Sequence, residues 1–377
     1  MSTVGQSLKH TGKTNDPERF AVYLPSLDGG GAQRVVLTLV NGMAERGLAV
    51  DLVLARAEGP FLSQVRKEVR LVDLGAGHAA RSLPGLIRYL RRERPRALLA
   101  SLNYVNIVAL IARALARVNT RVVVSEHNTL TQARPKGFRN RLVVRLMPLM
   151  YPQADLVVAV SKGVAEDLAQ AIRLERGRIR VIYNPVVRPE MLEKAAEPVD
   201  HPWFRRGQPP VVLAIGRLTE QKDFGTLIRA VALLRETRNV RLMILGEGER
   251  RGELEAQVAE LGLCAHVALP GFVANPYAYL YQSGVFVLSS LWEGLPTVLI
   301  EALACGTRVV ATDCPSGPAE ILEDGKWGRL IPVNDSAALA KAIGESLDES
   351  APPNVTTRAQ AFGIATAVDE YLCALRG

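Results

Sequence analysis

Cysteine is scarce in this sequence, and the few cysteines lie far apart. No two of them form a C-x-x-C pair; they stand at Cys264, Cys305, Cys314 and Cys373. Disulfide frameworks and zinc clusters need closer, repeated spacings. The sequence therefore predicts neither, and it favours a reducing compartment such as the cytoplasm.

A long uninterrupted apolar run is also missing. Residues 1–19 are polar and charged, without the apolar centre of a secretory signal. The most apolar window, Ala97–Val118, contains two asparagines and two arginines, which a membrane-spanning helix tolerates poorly. We expect a cytoplasmic protein without a transmembrane segment.

Two further features that would indicate other functions are scarce or absent. Aromatic residues make up only 5% of the chain, and no stacking platform or recognition helix is evident, which argues against nucleic acid as a partner. The G-x-G-x-x-G fingerprint with a downstream acid is not matched. A nicotinamide-dependent oxidoreductase is therefore disfavoured.

The sequence does contain a regular alternation of apolar runs and helical patterns along its 377 residues. This alternation predicts an α/β fold with parallel sheets covered by helices. A stretch rich in proline and charge at 184–210 interrupts it, so we predict two Rossmann-like, doubly wound domains facing a central cleft. The predicted divisions are a flexible tail at 1–18, domains at 19–190 and 191–357, and a final helix at 358–377.

The apolar runs also give the individual strands. The predicted strands are Phe20–Leu27, Ala49–Ala55, Ala97–Leu102, Arg121–Ser125, Leu156–Val160, Arg180–Ile182, Val211–Ile215, Arg241–Leu245, His266–Leu269, Val285–Leu288 and Arg308–Ala311. Ser161 is expected to cap the helix that begins at Lys162. Asn184 is interpreted as part of a turn at the domain boundary.

Charge is unevenly distributed between the two predicted domains. Residues 1–190 hold 29 Lys and Arg against 15 Asp and Glu, whereas residues 191–377 hold 17 against 23. One basic run lies at 88–96, and another contains Arg139, Arg141 and Arg145 beside the apolar residues 146–150. The second run suits an anionic membrane surface or a phosphate-bearing lipid acceptor. A solvated helix face is the alternative.

The segment from Gly29 to Arg34 follows the first strand and opens a helix. Glycines such as Gly30 and Gly31 let the backbone approach a ligand, and free N–H groups at a helix start favour an anion such as a diphosphate. A tight turn without a ligand is the alternative interpretation.

A second candidate motif follows the strand that ends at Ile215. Gly216 would permit the turn, while Arg217 and Lys222 place two cations at the carboxyl end of a strand. Arginine binds phosphate oxygens with two donors and lysine adds a compact charge, so the pair could balance a diphosphate without a metal.

The third motif combines two carboxylates with a helix start. Glu293 is predicted in the loop before a helix, with Pro296 in its first turn and Glu301 one to two turns inside it. The two carboxylates could bind hydroxyls, while backbone N–H groups at the helix start face the ligand. Gly294, Leu295, Pro296 and Thr297 complete this predicted donor site.

His127 follows a predicted strand, which would place it at the cleft. From the residues alone it is either a core-edge histidine or a site residue.

Together these motifs resemble glycosyltransferase family 4, whose members have the GT-B fold. The likeness is carried by Gly216–Leu218 with Lys222, and by Glu293 and Glu301 with seven residues between them. Segments 29–34, 125–128 and 312–322 match in the same order, and the likeness covers residues 18–375. The chain is similar to bacterial transferases that build polyprenyl-diphosphate-linked or envelope oligosaccharides. Relatives often carry Glu where this chain has Gln33, which concerns acceptor or loop contacts.

The resemblance implies a role for each matching residue. Glu301 would bind the donor ribose and Glu293 the hydroxyls of the donor sugar. Arg217 and Lys222 would hold the diphosphate, helped by Gly30 or Gly31 across the cleft, and His127 would position the reacting sugar. The N-terminal domain would bind the acceptor and the C-terminal domain a nucleotide sugar such as a UDP-sugar, with the final helix packing on the first domain.

The resemblance also implies transfer with retention, an α-linkage and no need for a divalent metal or another cofactor. We expect a lipid-linked or glycan acceptor and peripheral association with the inner face of the cytoplasmic membrane. A soluble acceptor, such as a sugar phosphate or a glucan, is the first alternative. A catalytically inactive binding protein of the same fold is the second.

Overall fold

The computed structural model describes residues 18–28, 31–131 and 138–377, with only the backbone for 138–141. In the first half of this part of the chain, parallel strands form a sheet with the order β3-β2-β1-β4-β5-β6-β7. These strands are β1 (Arg19–Leu24), β2 (Ala49–Leu54), β3 (Arg70–Asp73), β4 (Ala97–Ser101), β5 (Arg121–Glu126), β6 (Leu156–Ala159) and β7 (Ile179–Val181).

The second half of the described chain repeats this order as β10-β9-β8-β11-β12-β13. Its strands are β8 (Val211–Ile215), β9 (Arg241–Leu245), β10 (Val267–Gly271), β11 (Val285–Leu288), β12 (Val309–Thr312) and β13 (Arg329–Ile331). Central strands such as β4 and β11 are buried along their whole length, because helices cover both faces of a parallel sheet. This confirms the prediction of two doubly wound, Rossmann-like halves.

Helices connect the strands within each half and cover the sheets. The helices of the first half are α1 (Gly31–Glu45), α2 (Leu83–Glu93), α3 (Asn103–Ala116), α4 (Phe138–Met150) and α5 (Lys162–Ile172). Those that follow are α6 (Glu190–Ala195), α7 (Phe224–Arg235), α8 (Arg251–Glu260), α9 (Pro276–Gln282), α10 (Thr297–Ala304), α11 (Pro318–Leu322), α12 (Ser336–Asp348), α13 (Thr356–Ala359) and α14 (Ile364–Arg376). Among the described helices, none is both long and apolar enough to span a membrane.

The last helix returns to the first half, as predicted. α14 packs against α1, β4 and β5, and the Arg121 guanidinium donates to the Ala374 carbonyl oxygen at 2.9 Å. The chain thus crosses between the halves twice, and the two crossings meet. The backbone N–H groups of Val186 and Val187 both donate to the Phe362 carbonyl oxygen at 3.0 Å.

The predicted strands differ from the observed ones mainly at their ends. The first strand ends at Leu24 rather than Leu27, and the run predicted at 266–269 forms Val267–Gly271. Sequence reasoning missed β3 and β13, because these short edge strands are partly exposed and lack a continuous apolar run. The divisions at 190 and 357 stay predictions, and the tail predicted at 1–18 lies outside the described residues except for Glu18.

Candidate active site

The two halves face each other across a cleft of about 700 Å³. In each sheet the strand order reverses between two neighbouring strands, β1 and β4 in one and β8 and β11 in the other. Loops that follow these strands line the cleft from both sides. Ligands of doubly wound sheets bind at such reversal points, at the carboxyl ends of the strands.

The structure brings the sequence-predicted donor residues of the second half together in this cleft. They are Gly216, Arg217, Lys222, Glu293, Gly294, Leu295, Pro296, Thr297 and Glu301. On the first half, Gly31 and His127 also line it. Gly30 lies outside the described residues. That these residues bind a donor stays a prediction at this point.

Lys222 and Glu293 form an ion pair on the side of the cleft that the second half provides, here called the second-half wall. Lys222 Nζ lies 2.6 Å from Glu293 Oε1, and the two side chains are only 15% and 8% exposed. The Ser290 hydroxyl donates to the same carboxylate oxygen at 2.6 Å. A pair this poorly solvated fixes both side chains, so the ammonium group is already in place when an anion enters.

Gly216 has a different role from the one expected. It does not have a positive φ, so the turn does not require glycine. A Cβ atom at this position would instead lie 3.1 Å from Lys222 Cε. Gly216 therefore leaves room for the lysine side chain to cross the strand end, while Arg217 beside it is exposed to the cleft.

The helix α10 begins at the cleft, four positions after Glu293. Pro296 is its N-cap residue rather than part of its first turn, and no side chain caps the helix start. The first backbone N–H groups of a helix have no partners within it, and its dipole favours an anion there.

Glu301 lies one turn into α10 and lines the cleft. Burial raises its pKa to about 7, against smaller opposing effects from Arg34, Arg188 and a hydrogen bond from Tyr277. Glu301 therefore has charged and hydrogen-bonding neighbours from both halves. Arg34 belongs to α1, so a cation of the first half faces a carboxylate of the second.

His127 faces the cleft from the end of β5 and is only 8% exposed. Its Nε2 lies 2.7 Å from Ser101 Oγ and 3.3 Å from Ser125 Oγ. Burial lowers the pKa of His127 to about 4, so the ring is neutral near pH 7. When Nε2 accepts from a serine hydroxyl, Nδ1 carries the proton, and Nδ1 has no partner among the described residues.

A buried carboxylate next to His127 was missed by sequence reasoning. Glu126 accepts hydrogen bonds from the Tyr151 hydroxyl and from Asn106 Nδ2, the latter at 2.9 Å. Burial raises the pKa of Glu126 to about 7. The available signal was a polar residue at the end of the apolar strand predicted at 121–125. Its partners, however, come from α3 and from the residue that follows α4.

The sequence analysis assigned Asn184 to a turn at the domain boundary and gave it no role in the site. It lies in the loop after β7, but its side chain is only 4% exposed and the residue lines the cleft. Its Oδ1 is buried without a partner among the described residues, which costs about 1–3 kcal/mol unless a ligand donates to it. Its position directly after a parallel strand was the signal for a site residue.

The predicted membrane residues lie on α4. Arg145 is exposed, and the side chains of Arg139 and Arg141 lie outside the described part of the chain. Leu142 and Leu149 are 46% and 70% exposed, and their spacing places them on one helix face with Arg145. In the other basic run, Arg91 donates to carbonyl oxygens at the end of α3, a structural role.

Comparison with known proteins identifies the family of both halves. The model of "Glycosyltransferase Family 4" matches residues 29–188, and that of "Glycosyl transferases group 1" matches residues 199–361. The first match covers the first half from α1 to the end of its sheet, and the second match contains the whole sheet of the second half.

Relatives match over nearly the full length. The chain is 32% identical over 362 residues to N-acetylgalactosamine-N,N'-diacetylbacillosaminyl-diphospho-undecaprenol 4-alpha-N-acetylgalactosaminyltransferase of Campylobacter jejuni, covering 92% of this chain and 96% of that one. It is 28% identical over 348 residues to the lipopolysaccharide core biosynthesis glycosyltransferase LpsE of Rhizobium meliloti, covering 91% and 92%.

The fold of this chain also matches the fold of solved structures. Anabaena HepE in complex with UDP and glucose superposes with a TM-score of 0.75 at 22% identity, covering 95% of this chain and 99% of that one. Together with the family matches and the Campylobacter relative, this establishes what kind of protein the two halves form. The chain belongs to glycosyltransferase family 4 and is a glycosyltransferase with the GT-B fold.

Proposed function

We propose that this glycosyltransferase moves a hexose or an N-acetylhexosamine from a nucleotide sugar, specifically a UDP-sugar, to a lipid-linked or envelope-glycan acceptor. Support comes from the Campylobacter relative, named for a diphospho-undecaprenol acceptor, and from HepE, solved with UDP. Transfer proceeds with retention, so that an α-linked donor gives an α-linkage.

The observation that carries this proposal is the convergence of two cations and two carboxylates on one cleft wall. Arg217 and Lys222 hold the diphosphate beside the start of α10, and Glu301 accepts from the ribose hydroxyls. Glu293, held by Lys222, accepts from the hydroxyls of the donor sugar. With Arg217 and Lys222 as the cations that bind the diphosphate, transfer is proposed to need no divalent metal.

During transfer the bond between the anomeric carbon and the diphosphate breaks, and the acceptor oxygen forms the new glycosidic bond. The leaving diphosphate takes the acceptor proton. Because negative charge grows on the leaving group, the contacts from Arg217 and Lys222 strengthen in the transition state. His127 is neutral and lines the cleft, where it helps to position the reacting sugar.

The helix α4 is proposed to bring the enzyme to its acceptor. Its exposed face combines Leu142 and Leu149 with Arg145, a pattern that suits the surface of an anionic bilayer. The enzyme would then act as a peripheral protein at the inner face of the cytoplasmic membrane. A soluble acceptor requires no such affinity.

Calorimetric titration with UDP tests the donor assignment. We expect Glu301→Ala to weaken UDP binding about 10- to 100-fold, because one charge-assisted hydrogen bond contributes about 1.5–3 kcal/mol. Glu345→Gln is the matched control, since this exposed carboxylate pairs with Arg329 far from the cleft. Equal affinity in wild type and Glu301→Ala would refute the ribose assignment. A melting-temperature screen of nucleotide sugars then identifies the donor by its stabilising effect.

A further inference from the structure

The two halves touch at a second place, beside the cleft. There the start of α5 in the first half meets the segment 316–320 of the second. The Ser161 hydroxyl donates to the Gly294 carbonyl oxygen at 2.9 Å and lies 2.9 Å from Ser316 Oγ. Gly294 directly follows Glu293, so a first-half side chain holds the loop that carries a predicted donor carboxylate.

Close backbone approach at this contact depends on two glycines, one on each half. A Cβ atom at Gly163 would lie 2.6 Å from Ser316 Oγ and 2.9 Å from Ser316 Cα. A Cβ atom at Gly294 would lie 2.1 Å from the His127 carbonyl oxygen. Ser316 itself has φ +68°, a conformation that costs energy for a residue other than glycine. The contact is therefore closely fitted on both sides.

A carboxylate of the second half completes the contact. Both oxygens of Glu320 accept from the Lys162 backbone N–H, at 2.9 and 3.0 Å, in the first turn of α5. Negative charge is favourable at that end of the helix dipole. The Tyr183 hydroxyl also donates to Glu320 at 2.7 Å, and its ring lies 5.1 Å from that of Phe362, where the two chain crossings meet.

We propose that Glu320 and Ser161 form an interdomain catch, and that Glu320 is a positioning residue for transfer. The catch holds the loop of Glu293 and Gly294 against the backbone of His127, so that the two cleft walls keep the spacing that transfer requires. Glu320 acts through this loop and does not touch the donor. The proposal rests on the proposed function insofar as that loop binds the donor sugar.

Three measurements on Glu320→Ala and Glu320→Gln test the catch. We expect Glu320→Ala to increase the radius of gyration in small-angle X-ray scattering, both with and without UDP. Its UDP affinity should stay within about 3-fold of wild type, because the second-half donor contacts are intact, while transfer falls at least about 10-fold. Glu320→Gln keeps the shape and one acceptor oxygen and should recover part of the activity.

Glu166→Gln is the matched control, since Glu166 lies on α5 and pairs with Arg176 inside the first half. It should leave scattering, affinity and transfer unchanged. The proposal would be overturned if Glu320→Ala transferred sugar at the wild-type rate and had the wild-type radius of gyration. A parallel loss of UDP affinity and transfer would also overturn it, since it would mean that Glu320 merely supports the second half. If wild type fails to bind UDP, the donor assignment fails, and scattering of the unliganded protein alone decides the catch.

Discussion

The two walls of the cleft are built from different chemistry. The second-half wall carries the charged pair Lys222–Glu293 at 2.6 Å, with Arg217 exposed beside it and the uncapped start of α10 below. The first-half wall carries the cation Arg34 together with the neutral side chains of His127 and Asn184. Nδ1 of His127 and Oδ1 of Asn184 are buried and lack partners among the described residues.

This difference indicates what each wall can recognise. Fixed cations beside a helix start stabilise an anion whose charge grows during the reaction. Neutral donors and acceptors held in place by burial suit uncharged hydroxyls, because a missing partner there costs more than a formed bond gains. This difference is consistent with the proposal that the second half holds the leaving diphosphate and the first half contacts the sugar and its acceptor.

The largest expected effect comes from removing the charge of the second-half wall. Arg217→Ala combined with Lys222→Ala should lower transfer by at least about 10³-fold, because each such contact contributes roughly 2–4 kcal/mol in the transition state. The initial rate of sugar transfer at saturating donor measures this effect. Arg329→Ala combined with Lys341→Ala, both outside the cleft and paired with Glu345, is the control.

The two cations should differ in their effect on stability. Lys222→Ala leaves the nearly buried Glu293 without its cation, and breaking a buried pair costs about 3–5 kcal/mol. Arg217 is exposed, so Arg217→Ala should leave the unfolding temperature unchanged. Substantial residual transfer in a folded double variant would mean that the diphosphate is held elsewhere. The assignment of the diphosphate to the second-half wall would then be wrong.

The second-half wall was predictable from sequence because its parts are local. Arg217 and Lys222 follow one strand, and Glu293 and Glu301 flank one helix start, so short spacings fix their placement. The two doubly wound halves followed in the same way from alternating apolar runs. The spacing of residues could not predict the pairing of Lys222 with Glu293, because the two lie 71 positions apart in the sequence.

The first-half wall was less predictable because its parts come from many segments. Glu126 is buried only because Asn106 on α3 and Tyr151 after α4 close over it. Asn184 resembles any turn residue until the second half packs beside it. Long-range packing of this kind leaves no periodicity in the sequence, so neither residue could be separated from an ordinary polar position.

A smaller effect concerns the buried carboxylate of Glu126, beside His127, and the pH dependence of stability. Because burial raises the pKa of Glu126 to about 7, the folded protein binds more protons than the unfolded chain between about pH 4.5 and 7. Stability that is present at low pH is therefore lost as pH rises through this window. Glu126→Gln should reduce the change in the free energy of unfolding across this pH window by on the order of a few kcal/mol. Urea unfolding at both ends of the window measures this change.

Glu301 titrates in the same window with a raised pKa, so the variant should keep part of the slope. Glu45→Gln, an exposed carboxylate that pairs with Arg66, is the control and should keep all of it. An unchanged slope in Glu126→Gln would place the pH dependence elsewhere. Glu126 would then contribute no more to the pH dependence of stability than an exposed carboxylate does.

The smallest effect concerns how the first half reaches its acceptor. Leu149→Ser should weaken co-sedimentation with phosphatidylglycerol-containing vesicles about 5-fold, since a partly inserted leucine contributes on the order of 1 kcal/mol. Leu115→Ser is the matched control, because Leu115 is 52% exposed in the same half but lies on α3. Arg145→Glu should act in the same direction, and only on anionic vesicles. If Leu149→Ser and Arg145→Glu both bind as wild type does, α4 is a solvated helix face, and a soluble acceptor becomes the better proposal for the first half.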